Sequence, residues 1–452
     1  MNTQILKLTL SLICSTTLLY AQNIYTFAGT GNIGNSGDGG QATVATFGFV
    51  SDVAVDPTGN VYIADINNSR IRKINSSGII SAFTASTGGF SGDGGPIGLA
   101  QISNAYGIAT DASGNLYIAD SGNNRIRKVS SSGTITTIAG TGVAGFSGDG
   151  AQATLCQLNN PVGITVDASN NVYIVDGGNN RIRKINPSGV ITTIAGTGIQ
   201  GFSGDGGLAT NAQLNFGTNS LAFGGIDLDV AGNIYVSDYN NGRIRKISTS
   251  NSITTIAGGG TLTCESNSVL ATSVGLSTSI GVMVDLASNI YIPSQFNCSY
   301  LKKIDGAGII TVFAGSGLSG NYGEGVLAIH SQIYDPWNSA IDALGNIYIV
   351  GNGYKVRVIC PSNCSIGINS FSKDDSKISL HPNPSNGSFT IKNNLQNNIE
   401  LIIINSFGQR VLEQTLNAVE NIINLENIAT GIYAYILLDE NQFHKSGKLI
   451  IK

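Results

Sequence analysis

Charge is scarce in this chain, and so is most of the vocabulary of catalysis. Charged residues make up 12% of 452 residues, and histidine occurs three times. So little charge excludes the runs that favour helices and fits an exported β protein. No zinc motif, no Ser/His/Asp set and no matched acid pair stands out. Basic loops are missing as well: between Gln22 and Ile359 there are 16 lysines and arginines, all inside one recurring strand motif, against 20 carboxylates. An acidic span without basic loops is a poor match for a phosphate backbone, so no nucleic-acid partner is expected. Beyond the N-terminus no apolar run is long enough to cross a bilayer, so no transmembrane segment is expected.

Repetition is what the chain has in abundance. Gly163 to Gly207 reads GITVDASNNVYIVDGGNNRIRKINPSGVITTIAGTGIQGFSGDGG, one copy of a unit found six times. The asparagine before each aliphatic-Tyr pair falls at Asn60, Asn115, Asn171, Asn233, Asn289 and Asn346, at intervals of 55, 56, 62, 56 and 57 residues. A period of that size built from short strands marks a propeller or solenoid. Within the unit, GITVD reads as a strand and Asp167 to Asn171 as a turn that Asp opens and a positive-φ Asn or Gly closes. NVYIVD, RIRKI and VITTIAG follow as three further strands. Four antiparallel strands form one propeller blade. The sixth repeat ends at Ile359 without a fourth strand, while Ile24 to Gly29, a match for ITTIAG, stands alone ahead of the first repeat. Pairing the two ends leaves no long sheet edge exposed. The expectation is an all-β chain: a six-bladed β-propeller over 22–359 closed by its N-terminal strand, then a small C-terminal β-sandwich.

The runs at Val61 to Ile74, Leu116 to Val129, Val172 to Ile185 and Ile234 to Ile247 resemble NHL repeats, and they recur in register. That resemblance implies a ring-shaped binding platform for proteins or RNA, with a few enzymes among the relatives. The charge pattern disfavours RNA here.

Residues 1–21 carry Lys7, an apolar run from Leu8 to Tyr20 and the small Ala21, which reads as a secretory signal cut after Ala21. Ile13 before Cys14 is too large for the usual lipidation cut site. Residues 360–377 read as a polar linker, and 378–452 as alternating strands with turn signals. His381-Pro-Asn-Pro-Ser-Asn-Gly387, Asn405-Ser-Phe-Gly-Gln409, Ala429-Thr-Gly-Ile-Tyr433 and Lys448-Leu-Ile-Ile-Lys452 resemble the C-terminal sorting domain, type A-like, of the type IX secretion system. The resemblance implies export across the outer membrane of a Bacteroidetes-type bacterium, with the secretion machinery as partner and the outer surface or the medium as destination.

Several residue sets are candidates for a site. Each second strand of repeats one to four ends in Asp five residues before an Arg: Asp65 with Arg70, Asp120 with Arg125, Asp176 with Arg181, Asp238 with Arg243. Repeat five has Ser294 and Tyr300 there, and repeat six Gly351 and Lys355, so both members are lost together, as structural ion pairs would be. Between blades, Gly-x-x-Gly-Asp/Glu-Gly recurs and places Asp38, Asp93, Asp149, Asp205 and Glu324 on one predicted face, with Phe90, Phe146 and Phe202 beside three of them. These residues form either plain turns anchored by Phe or a calcium or glycan contact surface, although one carboxylate per loop is few for calcium. No other cofactor is expected. The preceding Gly-x-Gly-x-x-Gly of several loops fits a dinucleotide fingerprint but is followed by more glycine rather than a helix, which removes the nucleotide reading. His330 reads as a solvated loop residue. The innermost strands begin with Asp52, Gly107, Gly163, Gly225, Gly281 and Asn338, too few polar groups for a convergent carboxylate ring on the axis.

Cys264 and Cys298 fall in loops of one repeat on one face and are paired on that ground; Cys360 and Cys364 flank a short segment suited to a local bridge; Cys156 reads as buried and inert. The reading is an exported monomer, not an enzyme, that binds a protein or glycan through its inter-blade loops. The alternative is a lyase- or lactonase-type propeller enzyme working at the axial pocket, which clustered polar groups at the innermost strand ends would favour.

Overall fold

The structure is a computed structural model that describes residues 22–217, 223–276, 279–295, 298–360, 378–393, 398–404, 410–425, 428–439 and 442–452. The expected signal segment, with its cut after Ala21, and nearly all of the expected linker lie outside the described residues.

Six antiparallel sheets follow one another between Asn23 and Cys360; the first five have their four main strands in sequence order, and the sixth takes the N-terminal strand as its fourth. In blade three these are Pro161–Val166, Val172–Asp176, Arg181–Ile185 and Ile191–Ala195. The second strand reads VYIVD without polar alternation because both its faces are covered: all five residues are buried. Such a short continuous apolar run is what a strand enclosed between neighbouring sheets requires. The cores accordingly lie between blades. Tyr117, Ile126 and Ala139 of blade two pack with Ile164, Ile174 and Ile191 of blade three. Each buried aliphatic there contributes about 1.5–3 kcal/mol, and truncating Ile174 to Ala would cost about 2–5 kcal/mol.

One hydrogen-bonded turn punctuates every repeat. Asp167 Oδ1 accepts the backbone N–H groups of Ser169 and Asn171 at 2.9 and 2.8 Å, while Oδ2 accepts Asn171 Nδ2 at 2.7 Å and the Tyr173 hydroxyl at 3.1 Å. Asp56, Asp111, Asp229, Asp285 and Asp342 hold their turns and tyrosines the same way. Partial burial raises these carboxyls, yet the converging donors win and hold Asp56, Asp111, Asp167 and Asp229 below the usual carboxylate range. The positive-φ position is filled by Gly or Asn as expected, except that Ser288, at φ 62°, takes it in blade five.

The ring closes through the N-terminal strand. Asn23–Ala28 pairs antiparallel with Val356–Cys360, matching Ile24 to Ile359 and Tyr25 to Val358. Blades five and six each gain an outermost two-residue strand, Val269–Leu270 and Val326–Leu327, that the sequence did not suggest.

Beyond the ring, two sheets form one further unit. Ile378–His381, Ser388–Asn393 and Glu420–Asn424 make three strands; Ile399–Ile404, Arg410–Leu416, Gly431–Asp439 and Gln442–Ile451 make four. Phe389 and Ile423 from the first share a core with Leu401, Tyr433 and Leu449 from the second. That is the small sandwich expected, built from seven strands among the described residues.

Candidate functional site

The inter-blade loops and the connections from second to third strand emerge on one face, and side chains tie them together. Asn123 Nδ2 donates to the carbonyl of Gly89, and Asn68, Asn179 and Asn241 do the same to Gly34, Gly145 and Gly201. Each loop therefore docks on the blade it introduces.

The expected Asp-Arg pairs are corrected by this docking. Asp120 and Arg125 do face each other as cross-strand neighbours, and so do the other three pairs. The ion pair, however, runs diagonally to the arginine two residues further on: Asp120 to Arg127 at 3.2 Å, Asp176 to Arg183 at 3.1 Å, Asp238 to Arg245 at 3.0 Å. A long side chain spans such a diagonal easily. The first arginine is engaged elsewhere. Arg125, Arg181 and Arg243 lie 3.7–3.8 Å above the rings of Phe90, Phe146 and Phe202, a cation-π contact. Arg125 and Arg181 also donate to the carbonyls of Thr141 and Thr197. In blade one, where Asn35 replaces the Phe, Arg70 is free to pair with Asp38 at 3.0 Å, and Asp65 is held by Gly48 N–H and Asn68 instead.

The loop carboxylates are the outer half of the same network. Asp38, Asp93, Asp149 and Asp205 each accept the fully buried Arg72, Arg127, Arg183 or Arg245 at 2.8 Å. Glu324 accepts the Thr26 hydroxyl at 2.8 Å, with Arg357 at 3.9 Å. These side chains hold loops to blades, and among the described residues no three metal-ligating groups come together. The glycines serve that purpose too: Gly142 has φ 90°, and a Cβ there would strike the Arg125 guanidinium.

Aliphatic side chains are among what the loops leave in solvent, beside the partly exposed Phe90, Phe146 and Phe202. Ile33, Val143, Ile199, Leu262 and Leu318, at the fourth or fifth position of five of the six inter-blade loops, are between 42% and 70% exposed. Backbone hydrogen bonds pin those loops, for example Thr141 N–H to Cys156 C=O at 2.9 Å and Leu262 N–H to Ser273 C=O at 3.0 Å. At the centre of the same face, half-buried rings gather at the starts of the innermost strands. Trp337 meets Phe49 at 4.2 Å and Phe223 at 5.4 Å, and Phe223 meets Tyr106 and Tyr239, all edge-to-face.

Beneath them the axis is nearly filled. A cavity of about 30 Å³, lined by Asp52, Gly107, Gly163, Gly225, Trp337 and Asn338 among others, holds little more than a water molecule. Asp52 accepts Ile108 N–H and Val53 N–H at 2.8 Å and Asn338 Nδ2 at 2.7 Å, strapping blades six, one and two together. Burial pushes its pKa up to about 7. Asp227 straps blades four and five by accepting Val284 N–H at 2.8 Å, and burial lifts it to about 6. Sequence reasoning missed Asp227, although an acid interrupting the apolar run Gly224-Gly-Ile-Asp-Leu228 was a readable signal.

His330 is half-buried rather than solvated, and burial holds its pKa down. Cys264 and Cys298 form a disulfide with Cα atoms 6.0 Å apart. Cys360 is disulfide-bonded, while Cys364 lies outside the described residues. Cys156 is buried, and burial raises its thiol.

Comparison with known proteins agrees with both halves of this description. Residues 47–74 and 104–129 match the NHL repeat, 143–203 match the teneurin NHL domain, and 379–452 match the secretion system C-terminal sorting domain. The chain thus carries NHL repeats followed by a sorting domain. Teneurin-1 of Gallus gallus is 32% identical over 225 residues, covering 45% of this chain and 8% of the teneurin, so the match takes in less than a tenth of that relative's length. Among solved structures, a protein of unknown function from Bacteroides thetaiotaomicron has a TM-score of 0.56 at 18% identity, covering 75% of this chain and 76% of its own. A protein described as an auxiliary nutrient binding protein, from Bacteroides ovatus, has a TM-score of 0.53 at 13% identity, covering 75% and 77%. At those identities the likeness is one of fold. The sorting domain marks the chain for export by type IX secretion to the cell surface or the extracellular space. No helix among the described residues is long and apolar enough to cross a membrane.

Proposed function

We propose that this is an exported binding module, not an enzyme, whose ring engages a protein through its loop face. The observation that carries the reading is the set of five exposed aliphatics, Ile33, Val143, Ile199, Leu262 and Leu318, on rigid loops around an aromatic centre. Repeat five has lost its Phe and its Asp-Arg network, yet its loop still presents Leu262. Exposed apolar groups around half-buried aromatics are the composition of a protein interface. The central rings close edge-to-face on one another, and Phe90, Phe146 and Phe202 are each covered by an arginine guanidinium, which weighs against sugar stacking. The axial cavity, of about 30 Å³, is small, which weighs against the lyase or lactonase alternative. The description of the nutrient-binding protein with this fold accords with a binding role.

The test is binding of the purified full chain to outer-surface preparations of its own bacterium, beside a variant with all five aliphatics changed to Ser. The expected result is binding by the natural chain that is abolished by protease treatment of the surface, resists periodate and is lost in the variant at unchanged Tm. Undiminished binding by the variant, or periodate-sensitive binding, would overturn the proposal.

A further inference from the structure

Blade five departs from the electrostatic plan of its neighbours, and its departure leaves a charge without a counter-charge. Lys302 faces Ile292 across the sheet as Arg127 faces Ile118, and Ser294 faces Tyr300 as Asp120 faces Arg125. Lys302 and Ser294 therefore occupy the places of Arg127 and Asp120, whose side chains meet at 3.2 Å. The outer carboxylate is gone too. Asp93 and Asp149 stand 34 residues before the arginines that they hold, and Ser268 stands at that distance before Lys302. What survives is the carbonyl contact: Lys302 Nζ donates to Ser266 C=O at 2.8 Å, as Arg127 does to Ser91, and lies 5.4 Å from the centre of the Tyr300 ring.

Both remaining groups are enclosed. Lys302 is fully buried, Ser294 is 4% exposed, and the Ser294 hydroxyl has no hydrogen-bond partner among the described residues. Glu265, in the same loop, is exposed and acts on Tyr300. Burial lowers the Lys302 pKa to about 8, which leaves the side chain a cation at neutral pH. Two ammonium protons and one hydroxyl proton then want an acceptor of negative charge in a site closed to bulk water.

We propose that blade five binds a chloride ion between Lys302 Nζ and Ser294 Oγ, in the place that a second-strand aspartate fills in blades two to four. The exchange of a carboxylate for a hydroxymethyl group frees the volume of one or two heavy atoms, which suits a small spherical anion and is too little for sulfate or phosphate. The Cys264–Cys298 bridge ties the loop that supplies Ser266 to the start of the third strand, so the ion is trapped under a staple.

The experiment is a chloride titration of the Tm of the full chain at pH 7, with ionic strength held constant by gluconate, which is too large for the site. The natural chain should show a rise that grows with the logarithm of chloride above Kd, roughly 4 °C at a hundredfold excess. Ser294→Asp should be insensitive to chloride because it carries its own carboxylate, and Lys302→Met should be insensitive because it carries no charge. Bromide-soaked crystals should show an anomalous peak beside Lys302. A Tm indifferent to chloride, a dependence that persists in Ser294→Asp, or a bromide map empty at Lys302 would each overturn the proposal. If Lys302→Met fails to fold, Ser294→Asp and the bromide map decide the matter.

Discussion

Changing Arg183 to Met tests whether the ring is held by its charge network or only by its cores. Arg183 is fully buried and reaches Asp176, itself fully buried, at 3.1 Å, Asp149 at 2.8 Å and the Ser147 carbonyl at 3.1 Å. Methionine fills much of the same space but strands Asp176 as a buried charge, a loss of about 3–5 kcal/mol. For a ring of roughly 340 residues the unfolding entropy near Tm is about 0.7 kcal/mol/K, so the Tm should fall by about 4–7 °C. Two companions sharpen the reading. Arg181→Ala, which removes a guanidinium from the Phe146 ring and two carbonyl contacts, should cost about 1–2 kcal/mol. Replacing Arg183 and Asp176 together by Met and Leu should recover most of the loss, because no charge is then buried alone. Calorimetry of the four proteins measures this directly. A Tm drop for Arg183→Met no larger than that for Arg181→Ala would refute the assignment of Arg183 as the central tie of the blade.

Stability should also depend on pH in two opposite senses. Asp52 has its folded pKa raised to about 7, so the stability it contributes is fully present below about pH 4 and is lost as pH rises through 7. Asp52→Asn should flatten the Tm profile between pH 4 and 7, and an unchanged slope would remove Asp52 from the axis account. The turn aspartates Asp56, Asp111, Asp167 and Asp229 are lowered, so their contribution is present above the unfolded value and is lost as pH falls through the folded one. Thermal scans should therefore find the highest Tm near pH 4, with losses on both sides. Tyr235→Phe, which removes a 2.9 Å hydrogen bond to Asp229, should cost about 1 kcal/mol by urea unfolding. Reducing the Cys264–Cys298 bridge, which closes a 34-residue separation, should lower stability by about 3–4 kcal/mol and loosen that loop to proteolysis.

The parts of this molecule that are local in sequence were legible in it. Strand positions followed from runs such as VYIVD, and the turns followed from Asp with a Gly or Asn three residues on. The closure of the ring followed from one orphan strand at Ile24. What escaped was partner choice among long side chains. Spacing puts Asp120 opposite Arg125, and it takes the position of Phe90, supplied by a loop more than 30 residues earlier, to show why Arg127 forms the ion pair instead. The five exposed aliphatics hid for a different reason. They sit inside glycine-rich tracts whose glycines drew the interpretation, and their exposure is a property of the folded loop. Asp227 went unseen because one position per repeat was compared, and this acid lies two residues deeper along the axis.

The clasp between Asn23–Ala28 and Val356–Cys360 bears on how the ring is made. Of the strands of the ring, the one synthesised first is the one the circle needs last. Until residue 356 is available, blade six lacks its outer edge and the N-terminal segment has no sheet to join, so five blades must wait as an open arc. During synthesis, then, the circle cannot lock while its far end is still to be made.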